Sequence, residues 1–269
     1  MAETGIVDGM AKDCITILGN KINCFKGYEE AYAFILKKIK TTSNRVGYVT
    51  VNNVHTMMEG FNDASFQRII NESFLSLPDG KPLQIVGKLT GKKNMSRLFG
   101  PTVMESFIDW GRKDNVRHFF FGSTTANLQK LKLVIEKKYP GTSIAGMLAP
   151  PFEPIECWNN EEFIDIINAA KPDFIWVGLG APKQERWMYD NFENVHGLLF
   201  GIGAGFDYLA GNTKHAPIWM KNMSLEWLYR LVQEPRRLWR RYLTTIPPFT
   251  LFASLELLGV KVSEKHRKR

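Results

Sequence analysis

Short apolar runs alternate with amphipathic segments along most of this 269-residue chain. The apolar runs are typical of buried strands, and they lie at residues 15–18, 46–51, 119–121, 174–177 and 198–202. Helical periodicity is found between them, at residues 28–40, 126–139 and 161–170. Strand and helix in alternation predict an α/β fold with a mostly parallel sheet that is covered by helices.

Glycine directly follows three of the predicted strands, at Gly122, at Gly178 with Gly180, and at Gly203. Glycine lets backbone amides approach a ligand closely, and ligands of open α/β sheets bind at the carboxyl ends of the strands. We therefore expect at least two of these loops to line a ligand site, the alternative being that glycine serves only tight turns. The loops match neither GxGxxG nor a Walker A sequence, so any nucleotide is held in another way.

The pattern changes near residue 216. Residues 219–242 are compatible with helix except at Pro235, and proline is tolerated in the first turn of a helix. We predict two helices that are joined near Gln233, with the second one ended by Pro247 and Pro248. This divides the chain into an α/β core, residues 1–215, and a helical appendage, residues 216–269.

Nearly all of the net charge lies on that appendage. Residues 221–269 contain 11 Lys and Arg against 4 Asp and Glu, which gives 11 − 4 = +7 of the +8 carried by the whole chain. Aromatic residues such as Trp227, Trp239 and Tyr242 lie among these arginines. A basic, aromatic-rich, amphipathic segment favours contact with an anionic membrane surface. Nucleic acid is the alternative partner.

Polar side chains end two of the predicted strands. Asp79 follows a short apolar run, residues 75–77, and a carboxylate at a strand end can act as a general base toward a hydroxyl. The alternative is a plain surface turn, which Pro78-Asp79-Gly80 also favours. Thr50 and Asn52 end another strand and face the same side, because strand side chains alternate with a period of two. They either contact a sugar or simply cap the strand.

Further candidates are an amide and several arginines. Gln184 follows the second glycine loop, where an amide can hold a phosphate or sugar oxygen. Arg97, Arg230, Arg237 and Arg240 are candidates for pyrophosphate binding, since guanidinium groups pair phosphate oxygens bidentately. The alternative is a solvated basic face. The histidines are isolated and no DxD pair is present, so the sequence predicts no metal site.

The ordered set of motifs resembles the WecG/TagA/CpsF family of bacterial glycosyltransferases, over about residues 15–242. Each motif alone has little specificity, but the set in this order is highly specific. The motifs are Thr50-Val-Asn52, Pro78-Asp79-Gly80, Arg97-Leu-Phe-Gly100, Gly178-Leu-Gly-Ala-Pro-Lys-Gln184, Gly201-Ile-Gly-Ala-Gly-Phe-Asp207, Leu225-Glu-Trp-Leu-Tyr-Arg230 and Glu234-Pro-Arg-Arg237.

The resemblance implies a Rossmann-like core with helices on both faces of the sheet. It implies transfer of a sugar, N-acetylmannosamine or its uronic acid, from a UDP-sugar to a polyprenyl-diphosphate-linked N-acetylglucosamine, without a cofactor or metal ion. Such an enzyme works in cell-surface polysaccharide or teichoic acid synthesis as a cytoplasmic protein, peripheral on the inner face of the cell membrane. A donor such as UDP-glucose is an open alternative, as is a nucleic-acid-binding α/β protein. Related cores self-associate, so a homo-oligomer is a further expectation.

Roles follow from the resemblance position by position. Asp79 matches the catalytic base, and Thr50 and Asn52 match the pocket beside it. Arg97 and Gln184 match positions that contact the substrates.

The remaining candidates lie farther along the chain. Arg230, Arg237 and Arg240 match appendage arginines that close over the diphosphate, and Asp207 is our own candidate for a nucleoside contact. One departure is His215, because family members often have arginine there, and histidine binds phosphate less reliably near neutral pH.

Overall fold

The computed structural model of the chain describes residues 12–41, 47–217, 219–220, 223, 225–260 and 262. Its strands are β1 (Cys14–Ile17), β2 (Asn20–Asn23), β3 (Gly47–Asn52), β4 (Leu75–Pro78), β5 (Arg117–Gly122), β6 (Ser143–Leu148), β7 (Phe174–Gly178) and β8 (Leu198–Gly201). The last six form one sheet in the order β4-β3-β8-β7-β5-β6, and every pairing in it is parallel. The parallel sheet that the sequence predicted is confirmed.

Helices cover both faces of this sheet. They are α1 (Tyr28–Thr41), α2 (Val54–Asn62), α3 (Ala64–Glu72), α4 (Lys81–Leu89), α5 (Gly100–Gly111), α6 (Thr125–Lys138), α7 (Asn160–Ala169), α8 (Lys183–Asn191), α9 (Gly205–Leu209), α10 (Glu226–Gln233) and α11 (Pro235–Leu257). The three helices predicted from periodicity correspond to α1, α6 and α7 within one residue at each end. The helices on both faces agree with the Rossmann-like core that the resemblance implies.

Two apolar cores lie on opposite faces of the sheet, because side chains alternate along each strand. Tyr48 belongs to the core under α2, α3, α7 and α8, whereas its neighbour Val49 belongs to the core under α1, α5, α6 and α9. Phe119 and Phe120 divide in the same way. Burial on both faces explains why the strands read as continuous apolar runs in the sequence.

The prediction for residues 15–18 was wrong in one respect. These residues contribute to a strand, β1, but it pairs antiparallel with β2 and stands outside the main sheet. Leu18 and Gly19 both have positive φ, 49° and 80°, as the type I′ turn of a two-residue hairpin requires. This turn folds the chain back on itself, so β1 finds its partner locally.

Strand β6 was missed by the sequence analysis. Its residues are half-buried, as suits the edge of the sheet, and Gly146 interrupts the apolar pattern. Residue 46, the predicted start of β3, lies outside the described residues.

The appendage contains the two predicted helices, α10 and α11, with Glu234 between them and Pro235 in the first turn of α11. The expectation that Pro247 and Pro248 end the second helix was wrong, since α11 continues to Leu257. Proline lacks the N–H that would bond the carbonyl four residues earlier, and its ring clashes with that carbonyl, so packing must offset a cost of ~3 kcal/mol or more.

Packing against α2 holds the second half of α11. Phe249 and Ala253 are buried in the apolar core beneath α2, and the ring of Phe252 lies 5.1 Å from that of Phe61. Glu256 accepts a hydrogen bond of 2.9 Å from the Leu18 backbone amide in the hairpin turn. The appendage is therefore fastened to the core well beyond the proline pair. The proposed boundary after residue 215 stays a prediction.

Candidate active site

Asp79 lies directly after β4, so the short strand expected before it is confirmed. Its backbone amide donates a 2.6 Å hydrogen bond to the carbonyl of Asn52, at the end of the neighbouring strand β3. The Leu98 amide donates to the carbonyl of Pro78 at 2.7 Å, which brings Arg97 to the same place. The side chain of Asp79 is only 17% exposed. A carboxylate is thus held at the carboxyl edge of the sheet.

Arg97 lies between two carboxylates. Its Nη2 is 3.5 Å from Asp79 Oδ1, and its Nη1 donates to Glu226 Oε2 at 2.5 Å. The guanidinium also stacks over the ring of Phe99, 4.7 Å from the ring centre. Asp79 and Arg97, predicted separately, are therefore brought together by the fold.

Sequence reasoning did not assign a role to Glu226, the first residue of α10. It lies in the quoted motif Leu225-Glu226-Trp227, and an acidic residue at a helix start is usually explained by the helix dipole. Only the fold shows that the side chain is buried, with 7% exposed, and that it reaches across 129 positions of sequence to Arg97.

The surroundings of Asp79 hold its pKa above the ordinary value. Burial is the largest cause, and the Glu226 carboxylate adds to it, while the guanidinium groups of Arg97 and Arg230 act in the opposite direction. A carboxylate with a raised pKa accepts a proton more readily, which is what a general base requires.

Three buried polar atoms around Asp79 have no hydrogen-bond partner within the described part of the chain. They are Arg97 Nε, Glu226 Oε1 and Arg230 Nε. The Arg230 guanidinium packs over the ring of Tyr208, 5.6 Å from its centre. Because buried polar groups are nearly always paired, these atoms mark a place that a polar ligand or water fills.

Thr50 and Asn52 lie on the same face of β3 and are fully buried, as the strand period predicted. Asn52 Nδ2 donates to Thr50 Oγ1 and to Ser76 Oγ on β4, both at 2.8 Å. Asn52 Oδ1 has no partner in the described chain. Next along the chain, Asn53 caps α2 and turns the backbone away from the sheet. The group therefore forms a buried polar patch at the ends of β3 and β4, on the α2 side of the sheet, with Asn52 Oδ1 unpaired. The Asp79 carboxylate lies on the other side, near Gly100 and Val51, so a shared pocket stays a prediction.

Gln184 joins two of the glycine loops. Its Oε1 accepts from the Gly180 amide at 3.1 Å, and its Nε2 donates to Glu185 Oε1 at 2.8 Å. A Cβ at Gly203 would lie 3.2 Å from Gln184 Oε1, so the two loops meet at this side chain. Both ends of the amide are occupied and only 4% of the residue is exposed, so Gln184 shapes the loops, while its contact with a phosphate or sugar oxygen stays a prediction.

The side-chain amide of Gln184 is hydrogen-bonded to Glu185, a buried glutamate to which the sequence analysis also gave no role. Burial raises the pKa of Glu185 to about 7, and the hydrogen bond from Gln184 and the charge of Arg241 limit the rise. Gly178 and Gly180 stand at the end of β7 above this pair, and the positive φ of Gly180, 82°, is one that glycine adopts without strain.

Asp207 lies on α9, and one intervening side chain links it to the loop that follows β5. Its Oδ1 accepts from Asn127 Nδ2 at 3.0 Å and from Asn212 Nδ2 at 3.4 Å, and Asn127 also donates to Ser123 Oγ at 2.7 Å. The carboxylate thus belongs to a polar network at the third glycine loop. Its contact with a nucleoside stays a prediction.

The appendage arginines divide into two groups. The charge of Arg230 acts on Asp79, whereas Arg237 pairs with Glu234 and Arg240 is exposed beside Trp239. These three therefore do not share one face, because Arg230 and the other two stand on separate helices.

Arg241, which the sequence analysis did not select, is half-buried on α11. Its charge acts on Glu185 and on His55, and the charges of Arg237 and Arg230 in turn lower its own pKa, after burial as the largest cause. Arg241 thus interacts electrostatically both with the arginines of the appendage and with the polar residues beneath the glycine loops.

The position that departs from the family pattern also lies near the site. The ring of His215 is 4.7 Å from Tyr208 and 6.3 Å from Phe99. Among the described residues, no group of three or more His, Cys, Asp or Glu side chains is placed to hold a metal ion.

A buried carboxylate, arginines around it and glycine loops along one edge of a parallel sheet are features of an α/β enzyme with an anionic substrate. Residues 15–262 match the model of the Glycosyl transferase WecG/TagA/CpsF family. The chain belongs to this family of glycosyltransferases, as its motifs indicated.

Relatives of known name point in the same direction. The chain is 29% identical to a protein of Bacillus spizizenii over 208 residues, 77% of this chain and 78% of the relative. It is 28% identical to one of Bacillus subtilis over 239 residues, 88% of each, and 26% identical to one of Staphylococcus aureus over 188 residues, 69% of this chain and 70% of the relative. All three are named N-acetylglucosaminyldiphosphoundecaprenol N-acetyl-beta-D-mannosaminyltransferase.

Proposed function

We propose that this glycosyltransferase moves N-acetylmannosamine, or its uronic acid, from a UDP-sugar to N-acetylglucosaminyl-diphosphoundecaprenol. The observation that carries the proposal is the buried Asp79 carboxylate at the edge of the sheet, 3.5 Å from Arg97 and beneath the appendage. The relatives' names supply the sugar and the acceptor. The product serves a cell-surface polysaccharide or a teichoic acid.

In the proposed reaction, Asp79 removes the proton from a hydroxyl of the acceptor sugar. The hydroxyl oxygen attacks the anomeric carbon of the donor from the side opposite UDP. The bond from that carbon to the diphosphate breaks, and its electron pair leaves with UDP, so the configuration inverts. We propose that the strand end with Thr50, Asn52 and Ser76 borders the sugar site, since the carbonyl of Asn52 accepts the hydrogen bond of the Asp79 amide.

Negative charge grows on the leaving diphosphate, and the arginines are placed to receive it. The unpartnered Nε atoms of Arg97 and Arg230 supply donors near Asp79, and Arg237 and Arg241 extend the positive field along α11. Guanidinium groups keep their charge and pair phosphate oxygens bidentately. The loops at Gly178, Gly180 and Gly203 would let the backbone approach the donor closely, while the amides of Gly180 and Gly203 already donate to Gln184 Oε1 and to the Val177 carbonyl.

The long helix of the appendage offers a surface for the bilayer that holds the acceptor. Trp239, Leu243, Leu251 and Leu258 are exposed at spacings of 4, 8 and 7 residues, which places them on one face. Exposed arginines, including Arg240, accompany this apolar stripe. No helix in the described part of the chain is long and apolar enough to cross a bilayer. We propose that the stripe lies on the cytoplasmic face of the membrane.

The double change Leu243→Ser with Leu251→Ser should weaken binding to anionic vesicles, because each serine removes apolar area that is otherwise buried in the headgroup region. The measurement is flotation with vesicles of phosphatidylglycerol and phosphatidylcholine. Leu133→Ser, which changes an equally exposed leucine on α6 of the core, is the matched control and should float like the unchanged protein. Equal flotation of all three proteins would refute the docking surface.

The reaction is tested by UDP release from the full-length protein. The panel contains UDP-N-acetylmannosamine, its uronic acid, UDP-N-acetylglucosamine and UDP-glucose, each with and without a short-chain polyprenyl-diphosphate N-acetylglucosamine. We expect release that depends on the acceptor and on one of the first two donors. UDP release with UDP-glucose alone would show that UDP-glucose is the donor. No UDP release with any donor, together with no detectable UDP binding, would overturn the proposed function.

A further inference from the structure

Glu226 is buried in a way that stability alone does not explain. Its Oε2 is bound by Arg97 at 2.5 Å, while its Oε1 is buried without a partner in the described chain. Burying a carboxylate costs free energy unless its oxygens are satisfied, and an apolar side chain in such a place is often as stabilising as an ion pair. If the contact only fastened the appendage, a leucine would serve as well.

The position of Glu226 decides which carboxylate Arg97 binds. Arg97 is 2.5 Å from Glu226 and 3.5 Å from Asp79, so it forms its hydrogen bond with the appendage and not with the base. Without Glu226, Asp79 would be the nearest carboxylate, and a guanidinium readily forms two parallel hydrogen bonds with one carboxylate. That pairing would occupy both oxygens of Asp79.

We propose that Glu226 is a positioning residue that holds Arg97 off Asp79, so that docking of the appendage leaves the base with an oxygen free for the acceptor hydroxyl. The inference rests on the proposed role of Asp79 as the base. It adds a link between the packing of the appendage on the core and the chemical step, because Glu226 reaches Arg97 only while α10 lies on the core.

Charge acts in the same direction as geometry. The Glu226 carboxylate raises the pKa of Asp79, and the Arg97 guanidinium lowers it. Removing Glu226 removes the group that raises the pKa of Asp79, and it strengthens the effect of Arg97, which lowers that pKa. The pKa of Asp79 therefore falls, and Asp79 becomes a weaker base. Among the described residues, Arg230 also lowers the pKa of Asp79, the Gly100 amide bonds its carboxylate, and the titratable Tyr28 and Tyr208 interact with it; all four are left in place.

The test compares Glu226→Gln, which keeps the shape and removes the charge, with Glu226→Asp, which keeps the charge. Protein labelled with ¹³C at aspartate carboxyls is titrated by NMR, and the Asp79 resonance is the one absent from Asp79→Asn. In Glu226→Gln this resonance should titrate at lower pH than in the unchanged protein. In Glu226→Asp it should stay near the original position.

Kinetics give the second readout. In Glu226→Gln the acid limb of the kcat profile should move to lower pH, and kcat on the plateau should fall by about tenfold, a part of the ~10²–10⁴-fold that a general base supplies. The KM for the donor should change by less than about twofold. Glu136→Gln, the same change at an exposed glutamate on α6, is the matched control.

The outcomes separate the two proposals. An unchanged Asp79 titration in folded Glu226→Gln would overturn the positioning role, as would a rise in KM with an unmoved acid limb, since that pattern indicates a purely structural contact. If Glu226→Gln does not fold, Glu226→Met allows the same titration with an apolar side chain of similar size. Absence of acceptor-dependent UDP release in the unchanged protein would contradict the proposed function, while the titration would still decide the role of Glu226.

Discussion

Replacing Asp79 by asparagine is expected to lower kcat by about 10²–10⁴-fold, the usual contribution of a general base. Asparagine has the same shape but does not accept the proton of the acceptor hydroxyl at neutral pH. Arg97 keeps its bond to Glu226 in this variant, so the pocket and its affinity for UDP should persist. The measurements are acceptor-dependent UDP release and UDP binding by calorimetry.

The matched control for this variant is Asp165→Asn, which changes an exposed aspartate on α7. It should keep the original kcat. Normal turnover by Asp79→Asn would remove Asp79 from the role of base. A loss of UDP binding that parallels the loss of kcat would instead assign Asp79 to the binding of the donor.

Deleting residues 216–269 is expected to leave a folded core with almost no activity, even on a water-soluble acceptor. The deletion removes Glu226 and Arg230 from the surroundings of Asp79, and Arg237 and Arg241 with them. UDP release is the measurement for activity, and circular dichroism checks the fold. Full activity of the truncated chain on the soluble acceptor would show that the appendage is only an anchor.

The structure also shows what this deletion uncovers. Phe249 and Ala253 cover apolar side chains of α2, and their loss should lower the melting temperature of the core. A companion variant avoids that effect. Arg230→Ala combined with Arg237→Ala keeps the packing of α11 and should still lose most activity, because the growing charge on the diphosphate would lose two of its proposed donors.

The main sheet could be predicted from the sequence because β3, β5, β7 and β8 are buried on both faces and therefore read as apolar runs. The edge strand β6 could not, since its residues are half-buried and mixed in character. The pairing of β1 depended on the turn at Leu18 and Gly19, which is a local conformation that hydrophobic periodicity does not reveal. The extent of α11 depended on contacts with α2, and these outweigh the two prolines.

The residues of the candidate site likewise divide into those that could be selected from the sequence and those that could not. Asp79, Thr50 and Asn52 could be selected because polar residues at strand ends are visible in one sequence. Glu226 could not, because its role depends on a contact between residues 129 positions apart. Gln184 was selected to contact a phosphate or sugar oxygen, which stays a prediction, and only the fold shows that its amide bonds Gly180 and Glu185.

The order of the strands has a consequence for how such enzymes diversify. Asp79 follows the outermost strand β4, while the glycine loops follow β8, β7 and β5. With strands about 4.8 Å apart, these loops lie about 10, 14 and 19 Å from the base across the sheet. With the proposed roles of Asp79 and of the glycine loops, substitutions that change the choice of donor can accumulate around β5 and β7 without disturbing Asp79. Members of the family with different donors should differ most in those loops and least around Asp79.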